Sequence, residues 1–298
     1  MAKKGKIMKI ACTPISCSAL FKQGQMDAER FIAFCAEQHI QGVDLLHTQD
    51  YGWFWKNAER ELKLIRGWVD RAGLALAAYA CGNDFAKSDP VEFENSVATV
   101  TNALQEAQAL GAPLLRIFGG YHRDLSRNFD QAMDYAEGLQ RIIQGIERCL
   151  PAAEKNGVIL ALENHGRLPG HSYEIERILQ HFNSPWLRCC FDCANFVAGN
   201  MNEPEDPLRA YERLAPYVAH VHVKDFIYHV ADRRREVEAC VPGKGLVPLR
   251  QFIAMLEEHD YRGYCSLEYE ADRIMPTEQG VPASFAYLRS IAAICHVK

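Results

Sequence analysis

One local pattern recurs along the chain and limits the folds that it can adopt. An amphipathic helix ends, a glycine follows, and a short apolar strand begins. A glycine at such a position can take the left-handed conformation that closes a helix. The full pattern occurs five times, at 36–46, 69–80, 107–118, 152–163 and 257–268. Three further strands fit the series without the glycine, at 8–14, 187–196 and 218–226.

This alternation of strands and helices predicts an α/β fold with parallel strands, because antiparallel strands need only short hairpins between them. Eight strand–helix units in 298 residues favour a closed (β/α)8 TIM barrel, with a doubly wound open sheet as the weaker alternative. Helices have ordinary start signals, such as Ser88-Asp89-Pro90. No linker-like stretch divides the chain, so we predict a single domain over 1–298.

The composition argues against several classes of function. The net charge is −5, from 33 basic and 38 acidic residues, whereas a nucleic-acid partner usually demands a basic face. No apolar run approaches the roughly 18 residues that span a bilayer, so no membrane partner is expected. The basic N-terminus lacks the apolar core of a signal peptide. Together with the odd number of cysteines, eleven, this predicts a cytoplasmic protein.

Four predicted strands end at a side chain that can bind a hard metal ion. The carboxyl ends of parallel barrel strands gather at one mouth. The four side chains are those of Glu163, Asp192, His222 and Glu268. The first two intervals between them each match one βα unit of roughly 30 residues, and the third leaves room for one long loop at 226–248. We therefore expect all four side chains at one height around the mouth.

Three carboxylates and one imidazole form an oxygen-rich set that suits one divalent metal ion: Mn²⁺, Mg²⁺, Co²⁺ or Zn²⁺. Any one of these residues alone is equally well explained as a salt-bridged side chain at the end of a strand. The four together favour a metal site.

Three more polar residues each follow one of the predicted ligands by two positions. Residues two apart on a strand face the same way, so these side chains should lie one layer closer to the mouth. There they are natural contacts for a polyhydroxylated substrate: His165, Lys224 and Glu270. Ordinary solvation is the alternative, and it applies most to Glu270.

Two weaker signals lie at the ends of other strands. "GGYH" at 119–122 follows "LLRIF" and predicts a glycine-rich turn at the mouth, which makes Arg116 and His122 pocket candidates. "WFW" at 53–55 either walls a sugar-sized pocket or packs a loop.

Other motifs favour no separate chemistry. Cys190 and Cys193 have C-x-x-C spacing, but no second pair with zinc-site spacing exists and Asp192 lies between them. "PGKG" at 242–245 lacks the Ser or Thr of a phosphate loop and follows no predicted strand. His220 is expected to pack one layer below His222.

Five motifs in their order and spacing resemble the sugar phosphate isomerase/epimerase family of xylose isomerase-like barrels: "LALENHG", "FDCAN", "HVHVKD", "GKG" and "LEYE". The resemblance covers nearly the whole chain. It implies that the four predicted ligands bind one divalent ion and that the substrate is a small carbohydrate. Barrels of this family often pair through faces near the mouth, which leaves a homo-oligomer open.

The resemblance also implies a reaction. Glu163 and Glu268 would flank the substrate, one taking a proton from carbon and the other returning a proton to the opposite side. The metal ion lowers the cost of the enediolate that forms on deprotonation. Return to the same carbon is epimerisation, and return to the neighbouring carbon is aldose–ketose isomerisation.

One departure from the family keeps a second reaction open. Ketose 3-epimerases commonly carry a histidine three residues after the metal-binding aspartate, where this chain has Asn195. Asparagine can hydrogen-bond a substrate hydroxyl but cannot carry a proton charge. A metal-dependent lyase or dehydratase that acts on a keto-sugar or an inosose through the same enediolate is therefore the alternative.

Two further functions are disfavoured. The apurinic-site endonuclease branch of the superfamily needs more histidine ligands and a basic face, which conflicts with Asn195 and the net charge. A sugar-binding protein without catalysis would have no need of both Glu163 and Glu268.

Overall fold

Eight parallel strands close into a barrel in the computed structural model of the chain, which describes residues 8–120, 135–166, 168–198, 204–231 and 234–295. The barrel strands are β1 (Lys9–Cys12), β2 (Gly42–Leu46), β3 (Ala75–Ala80), β4 (Leu114–Phe118), β5 (Ile159–Glu163), β6 (Leu187–Asp192), β7 (Val218–Val223) and β10 (Tyr264–Leu267). Between β7 and β10 the chain forms β8 (Asp225–Ala231) and β9 (Arg234–Cys240), which lie outside the barrel sheet.

The helices pack around the outside of the barrel. They are α1 (Ser18–Lys22), α2 (Ala28–Glu37), α3 (Ala58–Arg71), α4 (Pro90–Leu110), α5 (Tyr135–Asn156), α6 (Ser172–Phe182), α7 (Cys193–Ala198), α8 (Pro207–Leu214), α9 (Leu249–Glu258) and α10 (Thr277–Cys295). Short 3₁₀ turns cover Pro14–Cys17 and Ala215–Tyr217.

The barrel confirms the predicted α/β fold class, and the open-sheet alternative is wrong. Going round the barrel, the strands follow the order β1-β10-β7-β6-β5-β4-β3-β2, and β2 pairs with β1 to close the ring. Every neighbouring pair is parallel. Asp192 on β6 stands beside His222 on β7, so the register brings neighbouring strand ends together as the spacing predicted.

Three of the five predicted glycine closures are present. Gly73, Gly111 and Gly157 follow α3, α4 and α5 with φ of 68°, 73° and 65°. After α2 and α9 the left-handed residue is instead His39 or Asp260, with φ of 56° and 57°.

The glycines in those other two segments serve close packing rather than helix closure. A Cβ on Gly42 would lie 2.8 Å from Cε1 of Tyr264, and one on Gly263 would collide with the hydroxyl of Tyr261. Gly42 is the first residue of β2, so it lets that strand pass the Tyr264 ring. The five segments share one sequence pattern, but the glycine closes a helix in three of them and allows close packing against a tyrosine in the other two.

The strand predicted at 187–196 is too long. β6 ends at Asp192 and α7 begins at Cys193. Oδ1 of Asp192 accepts hydrogen bonds from the backbone N–H groups of Ala194 and Asn195, at 2.9 and 3.0 Å. An aspartate that caps a helix in this way ends the strand before it.

The long loop predicted at 226–248 contains an antiparallel hairpin formed by β8 and β9. "PGKG" therefore does follow a strand, β9, contrary to the sequence-based expectation. One buried carboxylate fastens the base of this hairpin. Asp225 accepts backbone hydrogen bonds from Phe226, Gly243, Gly245 and Val247, at 2.9 to 3.0 Å.

Small side chains fill the lower interior of the barrel. Ala78, Leu114, Ala161 and Cys190 form one buried cluster there, which is separate from the main core between the strands and the helices. Two residues further along three of these strands lie the buried polar side chains of Arg116, Glu163 and Asp192. The fold thus positions a polar layer on a packed apolar floor.

None of the helices within the described ranges is both long enough and apolar enough to cross a membrane.

The ten cysteines whose side chains the structure describes are buried and free. Cys190 lies in the interior cluster, whereas Sγ of Cys193 contacts the backbone oxygens of His222 and Lys224. The two thiols of the C-x-x-C motif therefore do not form a pair.

The Asp225 contacts lead to a stability prediction. Asp225→Asn replaces one accepting oxygen by an amide NH₂ that cannot accept, so two backbone N–H groups lose their partner. We expect the free energy of unfolding in urea to fall by about 2–4 kcal/mol. Asp206→Asn is the control, because Asp206 caps α8 through one bond from Leu208 and asparagine caps equally well. Equal stabilities of the two variants would contradict the assigned role of Asp225.

Candidate active site

The four predicted metal ligands converge at the mouth of the barrel. Glu163, Asp192, His222 and Glu268 each offer one ligand atom, and these atoms all lie within 4.8 Å of one another. All four residues are buried. Their strands are adjacent in the barrel order, since β5, β6, β7 and β10 follow one another.

Glu163 lies between two cationic or polarisable groups. Its Oε1 is 3.2 Å from Nδ1 of His222, and its Oε2 is 3.2 Å from Nε of Arg116. Burial alone would raise the pKa of Glu163, but His222 and Arg116 hold the pKa well below its usual range. Glu163 is therefore a carboxylate at neutral pH.

The two carboxylate oxygens of Asp192 have different partners. Oδ1 caps α7, whereas Oδ2 lies 3.0 Å from Nζ of Lys224. Burial, with help from Glu163 and Glu268, raises the pKa of Asp192 to about 7 even though Lys224 lowers it. A carboxyl group in this position ionises readily once a cation arrives at Oδ2.

Lys224 links three carboxylates. Nζ lies 2.8 Å from Oε2 of Glu268, 3.0 Å from Oδ2 of Asp192 and 3.5 Å from Oε2 of Glu270. The Lys224 side chain is only 5% exposed. β7 ends at Val223, so Lys224 reaches the site from the residue after the strand.

A further carboxylate, Asp44 on β2, lies below His222. Its Oδ2 is 3.0 Å from Nε2 of His220 and 3.8 Å from Nε2 of His222. His220 thus packs one layer deeper than His222, as expected from the alternation of side chains along β7. Sequence reasoning missed Asp44, although an aspartate inside the apolar run "GVDLL" was the available signal.

The charges of this cluster fit a divalent cation. Each buried carboxylate is costly unless it is compensated. Among the described residues of the cluster, two permanent cations, Arg116 and Lys224, face four carboxylates. The carboxylates are Asp44, Glu163, Asp192 and Glu268. A 2+ ion bound by three carboxylates and one imidazole would make up the difference, and the oxygen-rich donors suit Mn²⁺, Mg²⁺, Co²⁺ or Zn²⁺.

His165 lies next to the cluster, although β5 ends two residues before it. Its ring packs on Phe118, with 4.5 Å between the ring centres. Burial lowers the pKa of His165 to about 4, against the opposing effect of Glu163. The imidazole is therefore neutral at pH 7 and can both donate and accept a hydrogen bond.

Arg116 is a buried anchor of Glu163. Its guanidinium donates to the backbone oxygen of Cys81 at 2.8 Å and to the Tyr51 hydroxyl at 3.2 Å, and it lies 3.9 Å above the Phe118 ring centre. These contacts fix the guanidinium beside the carboxylate.

The other predicted substrate contacts differ in their surroundings. The Asn195 N–H binds Asp192, and the Nδ2 of Asn195 is buried without a hydrogen-bond partner among the described residues. Glu270 is 42% exposed, and its Oε2 lies 3.5 Å from Nζ of Lys224. His122 lies outside the described residues.

Asn164 is a site residue whose role the sequence did not indicate. Its Nδ2 donates to the backbone oxygen of Asp192, and its Oδ1 accepts from the Asp192 N–H, both at 2.8 Å. This pair of bonds joins the ends of β5 and β6 and fixes the backbone of Asp192 beside Glu163.

The aromatic segment "WFW" mainly packs a loop. Phe54 and Trp55 are buried, and the indole N–H of Trp55 donates to the backbone oxygen of Leu46. Trp53 is partly buried against Phe21.

Comparisons with known proteins agree with this architecture. The sequence profile of the family described as xylose isomerase-like TIM barrel matches residues 32–291. The apo crystal structure of the 3-keto-D-glucoside 4-epimerase YcjR from E. coli superimposes with a TM-score of 0.75. That superposition covers 95% of this chain and 99% of the other, at 15% sequence identity.

Relatives found by sequence share a low identity with this chain, and many of the matches cover about half of it. Inosose dehydratase 1 of Bacillus cereus is 25% identical over 148 residues, which is 46% of this chain. The chain spans only 48% of the length of that relative. An inosose dehydratase of Lacticaseibacillus casei is 24% identical over 230 residues, covering 72% of this chain and 75% of that protein.

The ion pairs of Lys224 lead to a prediction about metal removal. Lys224→Met leaves Asp192 and Glu268 without their cation, so the metal-free protein should lose about 3–5 kcal/mol of unfolding free energy. A divalent ion replaces the missing charge. We therefore expect added Mn²⁺ to raise the Tm of this variant, measured by calorimetry, by more than it raises the wild-type Tm.

The control for this experiment is Lys63→Met on α3. Lys63 pairs with Glu59 at the surface, with both side chains more than 70% exposed, and such pairs contribute about 0–1 kcal/mol. An Mn²⁺-induced shift that is equal in Lys224→Met and the wild type would show that Lys224 does not compensate the ligand carboxylates.

Proposed function

The chain belongs to the xylose isomerase-like TIM barrel family, and on this premise we propose that it is a divalent-metal-dependent isomerase or epimerase of a sugar or sugar derivative. One observation carries the proposal. Glu163 at the end of β5 and Glu268 directly after β10 lie on either side of β6 and β7 around the mouth, and both approach Nδ1 of His222, at 3.2 and 3.8 Å. Two carboxylates are thus available on either side of one small cluster.

Glu163, Asp192, His222 and Glu268 would hold the metal ion in this proposal. The ion would supply Lewis-acid stabilisation of the negative charge that develops on the oxygens of the substrate. Asp192 would contribute Oδ2, because Oδ1 already caps α7. Arg116 would keep Glu163 ionised and oriented.

The two glutamates would move the protons. Glu163, as a carboxylate, accepts the proton from the carbon beside the substrate carbonyl. Glu268 has a proton source at 2.8 Å in the Lys224 ammonium and returns a proton to the opposite face. Acid–base catalysis of this kind contributes roughly 10²–10⁴-fold to a rate. Glu163 then releases its proton to solvent and Lys224 takes one up from solvent, which restores both groups.

Hydroxyl groups of the substrate would meet His165 and Asn195. The neutral His165 ring offers one donor and one acceptor, and the buried Nδ2 of Asn195 has no partner among the described residues and can donate. This combination supports a polyhydroxylated small carbohydrate as the substrate.

A dehydratase that acts on a keto-sugar or an inosose is the second candidate. Asn195 favours it, because ketose 3-epimerases commonly have an ionisable histidine at this position. The low-identity match to inosose dehydratases points the same way. The dehydratase would use the same deprotonation, but the β-hydroxyl would leave with the proton that Lys224 and Glu268 supply, so that water is released.

The two-carboxylate scheme predicts that Glu163→Gln and Glu268→Gln each lower turnover by more than about 10²-fold, because an amide can neither accept the proton from carbon, as Glu163 does, nor return one, as Glu268 does. Turnover would be measured in D₂O with Mn²⁺ as the appearance of deuterium-labelled product, as distinct from labelled substrate, from a panel of ketoses and 3-keto sugars. Near-wild-type formation of labelled product in either variant would rule out the scheme.

Two controls accompany these variants. Glu59→Gln changes an exposed carboxylate on α3 and should exchange deuterium at the wild-type rate. Bound Mn²⁺ is quantified in each variant, so that loss of the ion is separated from loss of the proton acceptor.

Product mass separates the two candidate reactions. An isomerase or epimerase returns a product of unchanged composition that carries one deuterium. A dehydratase returns a product that has lost one water and carries a conjugated carbonyl absorbing in the ultraviolet. We expect the first result, and loss of water on every substrate that exchanges would replace the isomerase proposal by the dehydratase.

A further inference from the structure

Asp44 is a buried carboxylate that the proposed reaction does not use. It lies inside the barrel on β2, near Nε2 of His222, whereas Glu163 and Glu268 lie near Nδ1 of the same ring. Its Oδ2 makes a 3.0 Å hydrogen bond with Nε2 of His220. Burying a carboxylate at this depth is unfavourable unless its charge serves a neighbouring group.

The two nitrogens of His222 face different carboxylates. Nδ1 lies 3.2 Å from Glu163 and 3.8 Å from Glu268, on the side of the cluster. Nε2 lies 3.8 Å from Oδ2 of Asp44. A histidine binds a metal ion through a nitrogen that has no proton, and the remaining proton then sits on the other nitrogen.

We propose that Asp44 is a positioning residue for the metal centre. Its negative charge favours the proton at Nε2 of His222 and so leaves Nδ1 free to bind the ion. A carboxylate behind a metal-binding histidine also fixes the ring orientation and makes the ring a stronger ligand. His220 holds Asp44 in position, because its hydrogen bond fixes the Asp44 oxygen that faces His222.

The geometry explains why an ionised residue lies on β2. β2 and β7 are separated in the barrel by β1 and β10, so Asp44 reaches His220 and His222 across the interior. Two members of the apolar cluster, Ala78 and Cys190, stand beside Asp44 and His220 in the strand register. An uncharged side chain at position 44 would not orient the imidazole.

The inference rests on the proposed metal site and is tested on the binding of Mn²⁺ alone. Free Mn²⁺ is measured by electron paramagnetic resonance as it is titrated into metal-free protein. Asp44→Asn keeps the shape of the side chain and removes its charge, and we expect the dissociation constant to rise about 10–100-fold. His220→Gln keeps a hydrogen-bond donor towards Asp44 and should bind nearly as tightly as the wild type.

Leu114→Val is the matched control for packing. It removes one methylene from the adjacent apolar cluster and should lower the Tm without changing the affinity for Mn²⁺. Wild-type affinity in folded Asp44→Asn would overturn the inference. A wild type that binds no Mn²⁺ would overturn the metal site itself, and the inference with it, which separates the two failures.

A measurement on the wild type covers the case in which Asp44→Asn does not fold. In the Zn²⁺-loaded protein, proton–nitrogen correlation spectra should show a downfield, slowly exchanging proton on Nε2 of His222, assigned by its absence in His222→Gln. A rapidly exchanging Nε2 proton without a downfield shift would contradict a carboxylate partner and overturn the proposal.

Discussion

Four carboxylates, those of Asp44, Glu163, Asp192 and Glu268, meet inside one barrel, although like charges repel and burial penalises each of them. Arg116 and Lys224 offset part of this cost. The remaining negative charge makes the mouth of the barrel a place where a divalent cation is favoured. Much of the local structure serves to hold these charges in place, including the Asn164 bonds between β5 and β6 and the capping of α7 by Asp192.

The fold and the convergence of Glu163, Asp192, His222 and Glu268 could be predicted because both depend on local periodicity. A strand–helix unit has a nearly constant length, so Glu163, Asp192 and His222 recur at intervals that place them at one end of a parallel sheet. No tertiary information was needed for that step. The family profile over residues 32–291 agrees with the predicted barrel.

The missed features depend on contacts between distant segments. Asp44 and His220 are 176 residues apart, and only closure of the barrel shows that they meet. β6 ends early because its last residue caps the next helix, and the segment after β7 folds back as a hairpin because Asp225 gathers its two ends. Glycines after helices look alike in sequence, yet Gly42 makes room for a neighbouring ring instead of ending a helix.

The backbone hydrogen bonds to Asp225 hold the base of the β8–β9 hairpin and leave its tip free to vary. Both ends of the β8–β9 hairpin are tied to one carboxylate, and that residue is the chain neighbour of Lys224. The tip of the hairpin can therefore lengthen, shorten or change its side chains without moving the ammonium group or the carboxylates around it. A barrel with this construction can vary at the periphery of its mouth while the charged groups inside stay where they are.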